Sequence, residues 1–440
     1  MGQISLLHIG DIHFSSNEIY KTPSNPREIQ NYTWSKLSDD EKTDLLQYLI
    51  RKIKKSLFLH IEEENFDSVI ITGDLCRQGI LPEYDSCLKY LKIQFQNFSN
   101  SIPQNKVEIS AGNHDLISYI PFDEDHITAR FLPFCELLEC NGYRQYATDN
   151  VDVTIIEKNE GKIILLNINS CLHFRDLSLL QPSHRETIQK MIRRGGEQQD
   201  FNRLLNVPYI PMQLIDEICR IIQEHPDCLP IIFTHHNFLR IGNFDPNREY
   251  DGIINEGPII QRLESLNRSI LILHGHIHYC DKKESGSIGA RIVFSSAPLF
   301  FPQKTQIVGE MYGYKILHII FADDELRTPL GCEIKSYTLK GCNVVAEESI
   351  KIPFIDPSDS VESLNLQEIP IYRVISQLRN EEYLGDCLKK LRRDGTIPPE
   401  SEYSNETFIS VINNLSWRKL IVYKENKSNP LRGIIQGRIP

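Results

Sequence analysis

A chain of 440 residues, 40% hydrophobic and 24% charged, has an ordinary globular composition. That predicts one large domain with an appendage and excludes wholesale disorder. The formal net charge of -11 argues against a protein that coats nucleic acid non-specifically, though it leaves room for a local basic groove. Eleven cysteines, an odd number without a C-x-x-C pair, suit reduced thiols rather than a disulfide framework or a structural zinc site.

The chain opens on Ile4-Ser5-Leu6-Leu7-His8-Ile9, too short an apolar run for a signal peptide and lacking a basic flank. Leu6 stands where myristoylation of Gly2 would need Ser or Thr. No later apolar stretch approaches the roughly 20 residues of a spanning helix, so the expectation is a soluble cytoplasmic protein without membrane contact.

Apolar, β-branched runs at 4–9, 68–72, 107–110, 151–156, 163–168, 230–234, 269–274, 291–295 and 314–321 predict strands. Between them, helical spacing runs from Asp39 to about Glu64, opened by a capping box of Ser38 and Glu41. Further helices are expected over Pro82–Phe98, His126–Cys140 and Pro211–Glu224. Strands alternating with helices imply an α/β fold with parallel pairing. The irregular stretches Asn17–Leu37 and Cys171–Pro208, the second containing Arg193-Arg194-Gly195-Gly196, are expected to be lids or surface excursions.

After Phe321 the character changes. Cys332–Leu339 and Asn343–Ile352 predict a hairpin turning near Lys340-Gly341, and a link over Pro353–Ser360 leads to helical segments near 363–394 and 405–417. The expected domains are therefore 1–321, an accessory β segment and linker over 322–360, and a helical, mildly basic region over 361–440. From residue 373 onward there are 12 Lys plus Arg against 8 Asp plus Glu, densest at Lys389-Lys390-Leu391-Arg392-Arg393. Such a run is either a solvated helix face or a contact for nucleic acid or a partner.

Five short motifs follow predicted strands. They are Asp11-Ile12-His13, Gly73-Asp74, Gly112-Asn113-His114-Asp115, His235-His236 and Gly275-His276-Ile277-His278. Open α/β sheets place their sites in loops beyond the carboxyl ends of strands, and all five lie there. Carboxylate, imidazole and amide oxygen suit borderline divalent metals. Two ions need one bridging ligand, and Asp74, alone on a tight Gly-Asp turn, is the natural bridge. If the loops stay extended, the period of two aims Asp11 and His13 to one side, and likewise His276 and His278. Isolated histidines such as His8 and His318 are expected to be packed residues without a metal role.

The ordered set resembles the calcineurin-like metallophosphoesterase superfamily, whose pattern is D-x-H, G-D, G-N-H-D or G-N-H-E, a lone His, and G-H-x-H. The resemblance covers roughly residues 1–321. It implies a four-layer sandwich of two mixed β-sheets flanked by helices, here with a small C-terminal β/helical appendage. It also implies that Asp11, His13 and His278 hold one metal, that Asn113, His235 and His276 hold the other, and that Asp74 bridges them. Manganese is expected, with iron, zinc and nickel as alternatives. The implied mechanism is in-line attack on phosphorus by a metal-bound hydroxide, with His114 stabilising a transferring oxygen or protonating the leaving group. Two features depart from the pattern. Arg77 stands where members often carry a second acidic residue, so either Asp115 orients His114 or Arg77 binds phosphate. At the lone histidine the chain has two, of which the pattern favours His235 as ligand, and His236 is a candidate to support the ligands from behind or to contact substrate.

Within the superfamily the G-H-I-H form, the accessory β segment and the basic tail resemble repair nucleases. Gly73-Asp74-Leu75 with Gly79, Glu83-Tyr84 and the histidine pair resemble cyclic-nucleotide phosphodiesterases. Phosphomonoesterases typically show G-D-x-x-D-R-G, and this chain departs from it twice. The expectation is a dinuclear phosphodiesterase acting on nucleic acid or a nucleotide, with nuclease ahead and cyclic-nucleotide phosphodiesterase as the alternative. A different class is also open: a sensor core whose C-terminal region recruits a partner protein or a second copy. No P-loop occurs in the chain, so any ATPase would be a separate subunit.

Overall fold

The computed structural model describes residues 2–14, 38–76, 81–96, 102–116, 127–144, 146, 148–174, 176–179, 182, 185, 186, 190, 207–238, 252–277, 282–285, 291–301, 311–322, 327–354, 368–378, 380–400, 403–418, 420–426 and 428–437. The expected loop over 17–37, the Arg193–Gly196 segment, the proposed helix start at His126 and most of the link to Ser360 lie outside these residues.

The first sheet begins with three parallel strands, β1 (Gly2–Ile9), β2 (Ser68–Ile71) and β3 (Val107–Ile109). The second contains β4 (Asp152–Lys158), β5 (Gly161–Asn167), β6 (Leu229–Thr234), β7 (Ile270–His274), β8 (Lys282–Ser285) and β9 (Ile292–Ser296). In space its order is β4-β5-β6-β7-β9-β8, with β5, β6, β7 and β9 mutually parallel and antiparallel strands at both edges. The first sheet is completed by β10 (Gly313–Phe321), β11 (Pro329–Lys340), β12 (Asn343–Ala346) and β13 (Ile350–Pro353), in the order β12-β11-β10-β1-β2-β3 with β13 also on β11.

Alternation of side chains explains the layering. In β1, Ile4 and Leu6 face the second sheet and join Leu165, Ile231, Phe233 and Leu271 in one dry layer. Leu7 and Ile9 point the other way, into a layer that includes Ile50, Ile53 and Leu57 of α1 (Asp39–Glu63). On the second sheet Ile232 and Ile272 turn outward to the layer holding Ile215 and Ile218 of α4 (Met212–Glu224) and Leu263 of α5 (Glu256–Glu264). Each fully buried aliphatic side chain contributes about 1.5–3 kcal/mol. Strands buried on both faces read as unbroken apolar runs, which is why the sequence showed them so plainly. The expected sandwich of two mixed sheets flanked by helices is the observed fold.

The helix α1 starts where the capping box predicts: Ser38 Oγ accepts from Glu41 N at 3.3 Å and Glu41 Oε2 accepts from Ser38 N at 2.8 Å. The remaining expected helices are α2 (Leu81–Gln96), α3 (Leu132–Cys140) and α4. The residues after Phe321 extend the first sheet, since β11 pairs with β10 from Gly313↔Thr338 to Phe321↔Pro329. Its hairpin with β12 turns at Gly341, whose φ of +60° suits a two-residue loop. The second arm predicted over 343–352 is two short strands, because β13 returns to pair lower on β11, Cys332 opposite Ile352.

The last seventy or so residues have a core of their own, with α6 (Glu368–Ile375), α7 (Leu384–Arg393) and α8 (Asn405–Trp417) packed on Leu388, Leu391, Phe408, Ile412 and Leu415. The region expected to be helical also contains strands. Strands β14 (Glu382–Tyr383), β15 (Ile421–Lys424) and β16 (Ile434–Gly437) form a small antiparallel sheet in the order β14-β16-β15. At two to four residues each they are too short to display a period. This unit rests on the first sheet through Trp417, which packs with Ile320, Ala322 and Leu330 beneath Lys351, whose Nζ is 5.0 Å from the ring centre.

His318, expected to be a packed residue, lies buried on β10 with Nδ1 2.8 Å from Gln3 Nε2 and Nε2 3.3 Å from Lys335 Nζ. Burial, then the Lys335 charge, push it down to about 4 despite Glu333. The unfolded chain therefore takes up a proton below about pH 6.5 that the folded chain refuses until about pH 4. Stability should fall as pH drops through that window by roughly 1.4 kcal/mol per unit, about 3 kcal/mol in all. Urea titrations at pH 7 and pH 4.5 should show this loss in the wild type and a shallower loss in His318→Gln; parallel losses would exclude His318 as the source.

Candidate metal centre

Because β1, β2 and β3 are parallel and level, Ile9 opposite Ile71 and Ile71 opposite Ile109, the loops carrying Asp11, Asp74 and Asn113 leave the first sheet side by side. On the second sheet Thr234 is level with His274, so the loops of His235 and His276 leave together as well. The two sets are tied across. Within the second set Gly275 N donates to His235 O at 3.0 Å, and across the sets His276 N lies 3.0 Å from both oxygens of Asp11. Ile12 N and His13 N both donate to Asp74 O, at 3.0 and 2.9 Å.

Three of these residues hold left-handed backbone that non-glycine residues rarely adopt: His13 (φ 45°), Asp74 (φ 50°) and His276 (φ 66°). Such strain persists only where surrounding contacts over-determine it, as at functional sites. It also corrects the expectation that the D-x-H and G-H-x-H loops stay extended. A turn at His13 and at His276, not the period of two, aims these side chains.

The side chains converge on Asp74. Its Oδ2 is 3.6 Å from His13 Nε2 and 3.4 Å from His235 Nε2, while its Oδ1 accepts the His114 N–H at 2.8 Å. His235 Nε2 is 2.9 Å from Asn113 Oδ1 and 3.1 Å from His276 Nδ1. On its other side His235 Nδ1 donates to the Thr72 carbonyl at 2.8 Å, which fixes the tautomer and turns the Nε2 lone pair toward the centre. Donor atoms of Asp11, Asp74 and His235 lie within 4.8 Å of one another, and so do those of His13, Asp74 and His114. Asp74 thus belongs to both groups.

Asp11, Asp74 and His235 are all but inaccessible, at 1%, 2% and 0% exposure. Burial alone would lower His235, but the Asp74 and Asp11 carboxylates outweigh it and hold the imidazole above its ordinary range. Two buried carboxylates facing imidazole nitrogens and an amide oxygen form a donor set that fits borderline divalent cations and is costly without positive charge.

His114 stands at the exposed rim, its ring edge-on to His13 with centroids 4.9 Å apart, and its carbonyl accepts from Tyr84 Oη at 3.0 Å. Asp115, expected to orient His114, makes backbone contacts that brace the neighbouring turns. It is fully buried, and its Oδ1 and Oδ2 accept the Leu75 and Gly112 N–H groups at 2.9 and 2.8 Å, tying the Gly73-Asp74 turn to the Gly112 loop. Burial and the Asp74 charge push it up to about 7, against the pull of the Gly112 N–H. Its part is positional. His236, expected to contact substrate, is fully buried, its ring 4.4 Å from that of His276. Arg77 and His278 lie outside the described residues.

Sequence reasoning missed Thr72, which orients His235 through its backbone, and Ser170, which holds His236. Thr72 precedes the Gly-Asp turn and could have been suspected. Ser170 belongs to no motif.

A family model for calcineurin-like phosphoesterases matches residues 4–280, which include every motif of the centre. The chain belongs to the calcineurin-like phosphoesterase family. Its members are metal-dependent phosphoesterases that use two divalent ions, and the residues gathered around Asp74 are the candidate site for them. Solved structures similar to this phosphoesterase include GAP50, the anchor in the inner membrane complex of Plasmodium, at 9% identity and TM-score 0.43, covering 80% of this chain and 90% of that one. Another is a dimetal phosphatase from Danio rerio at 12% identity and TM-score 0.43, covering 80% and 100%. A third is the purple acid phosphatase PPD1 from yellow lupin seeds at 12% identity and TM-score 0.40, covering 80% and 54%. No curated protein sequence matches the chain. No helix among the described residues is long and apolar enough to cross a membrane.

Proposed function

We propose that the centre is a two-metal phosphodiesterase acting on nucleic acid. The observation that carries the reaction class is the placement of Asp74 Oδ2 between His13 and His235, where one carboxylate can serve two ions. When bound, the ions supply an acidified water as nucleophile and neutralise charge on the phosphoryl oxygens. The chain's own residues orient and hold this arrangement: Thr72 fixes His235, Asp11 ties the two sheets together, and Asp115 locks the Asp74 turn. The His114 imidazole, at the rim beside His13, is placed to donate to a phosphoryl or leaving oxygen.

The preference for a diester is supported by Arg77, a cation three residues after Asp74 where monoesterases of the family carry an acid. Support for a nucleic-acid substrate comes from the C-terminal unit. Its order of helix, strand, two helices and a hairpin, with β16 between β14 and β15, is that of winged-helix modules, though fold alone does not assign a role. Lys389, Lys390 and Arg393 are exposed on α7, Lys389 paired with Asp386 and Arg393 with Asp394 at 3.4 Å each, while Arg392 donates to the Tyr403 carbonyl at 3.0 Å. A protein partner or a second copy is the other use of that unit. The free thiols of the described residues support a cytoplasmic location.

Purified chain with manganese should cleave linear single- or double-stranded DNA, and Asp74→Asn should not. Hydrolysis of cyclic nucleotides or of p-nitrophenyl phosphate with DNA untouched would remove the nucleic-acid part and leave a phosphoesterase of small substrates. In the same assay His114→Ala should lose about 10²–10⁴-fold in turnover with its metal content unchanged. Equal loss of metal, or full activity, would take His114 out of this role.

A further inference from the structure

We propose that His236 is an additional ligand of the centre, so that the ion held by Asn113, His235 and His276 sits in a site of three imidazoles. This rests on the family's metal dependence and is independent of the nucleic-acid substrate.

His236 is completely buried, and a buried nitrogen left without a partner costs about 1–3 kcal/mol. One side of its ring is accounted for: Nδ1 lies 2.9 Å from Ser170 Oγ and 3.6 Å from Cys171 Sγ. The Ser170 hydroxyl also accepts the backbone N–H of His236 at 3.2 Å, which fixes the base of the side chain. The other nitrogen, Nε2, is buried and has no hydrogen-bond partner among the described residues. Ser170 Oγ can accept from both the backbone N–H and Nδ1–H, and that arrangement leaves a lone pair on Nε2.

Two further imidazoles stand beside this ring. The His236 ring is 4.4 Å from that of His276 and 4.8 Å from that of His235, and donor nitrogens of all three lie within 4.8 Å of one another. His235 Nε2, an acceptor because Nδ1 is committed to Thr72, stands 3.1 Å from His276 Nδ1. Imidazole nitrogens converging in a dry site repel unless a proton or a cation lies among them. The rigid seat of His236, through Ser170 and Cys171, is that of a held ligand rather than a loosely packed side chain.

The consequence concerns which metals the protein takes. The resemblance gives the ion at Asp11 and Asp74 the two imidazoles of His13 and His278, a mixed set suited to manganese or iron. His235, His236 and His276 make a nitrogen-rich half, suited to zinc, iron, cobalt or nickel. With three imidazoles against two, the half that includes His236 should take zinc first.

The test uses the intact chain, stripped by chelator and reloaded. After equilibration with equal manganese and zinc, the wild type should retain about one of each per chain by elemental analysis. Loaded with one equivalent of zinc, its X-ray absorption fine structure should count three imidazoles. His236→Gln should bind the first zinc at least about 100-fold more weakly and keep its manganese affinity. Two imidazoles on zinc in the wild type would overturn the proposal even if the variant failed to fold, and so would unchanged zinc affinity in a folded His236→Gln. A wild type that retained no metal at all would refute the metal-dependent reading itself, an outcome distinct from either.

Discussion

Asp74→Asn should abolish metal-dependent turnover, by on the order of 10³-fold or more, and reduce the bound ions from two per chain. The amide keeps the size of the carboxylate, and its oxygen can still accept the His114 N–H that Asp74 Oδ1 accepts at 2.8 Å. What it lacks is the charge and the second oxygen that reaches toward both His13 and His235. Charge stabilisation by metals in such centres amounts to several kcal/mol, and each 1.4 kcal/mol is a factor of ten in rate. The same substitution should act oppositely on the metal-free protein. Asp74 is buried beside Asp115, whose carboxyl is held up near 7 by burial and then by the Asp74 charge. Removing that charge relieves repulsion in a dry site, so thermal melts in chelator should show Asp74→Asn at least as stable as wild type. Melts with manganese should show the reverse order. A variant that melted lower in both conditions would point to a structural role for Asp74 and deprive the activity loss of its meaning.

Gly112→Ala should be nearly as damaging without replacing any ligand. A methyl group on Gly112 would overlap Oδ1 and the backbone nitrogen of Asp74. The nitrogen cannot retreat, because the Asp74 turn is clamped by Ile12 N and His13 N on its carbonyl and by Asp115 on Leu75 N. Displacing a catalytic group by about 1 Å can cost 10²-fold, and overpacking a tight site costs about 1–3 kcal/mol. Turnover should therefore fall by about two orders of magnitude with a lowered melting temperature. Gly257→Ala is the control: a methyl group there has nothing within 4 Å, and alanine favours the helix by up to about 1 kcal/mol. Wild-type activity in Gly112→Ala would mean that the close approach of the two loops is not required.

Much of this was written in the linear chain. Fully buried parallel strands carry their apolar residues without interruption, so Val69-Ile70-Ile71 and Leu271-Ile272-Leu273 announced themselves. Each was followed at once by its ligand-bearing turn, and the capping box at Ser38 and Glu41 marked the start of α1 to the residue. The chemistry of the ligands was legible because metal-binding side chains are few and their motifs local: Asp11, His13, Asp74, Asn113, His235 and His276 needed no contact map to be suspected.

Tertiary structure decided what no local pattern encodes. Asp115 and His236 sit in motifs yet act through contacts with Leu75 and Ser170, which are distant in the chain. Hydrogen bonds across 40 and 66 positions leave no periodic trace. The left-handed turns at His13, Asp74 and His276 follow from loops pressed together by two sheets, an energy supplied by packing elsewhere in the molecule. The three strands of the C-terminal unit are stabilised by pairing partners rather than by their own residues, so sequence alone determined the metal-binding chemistry and the layered core, while packing determined which residues hold the ligands in place.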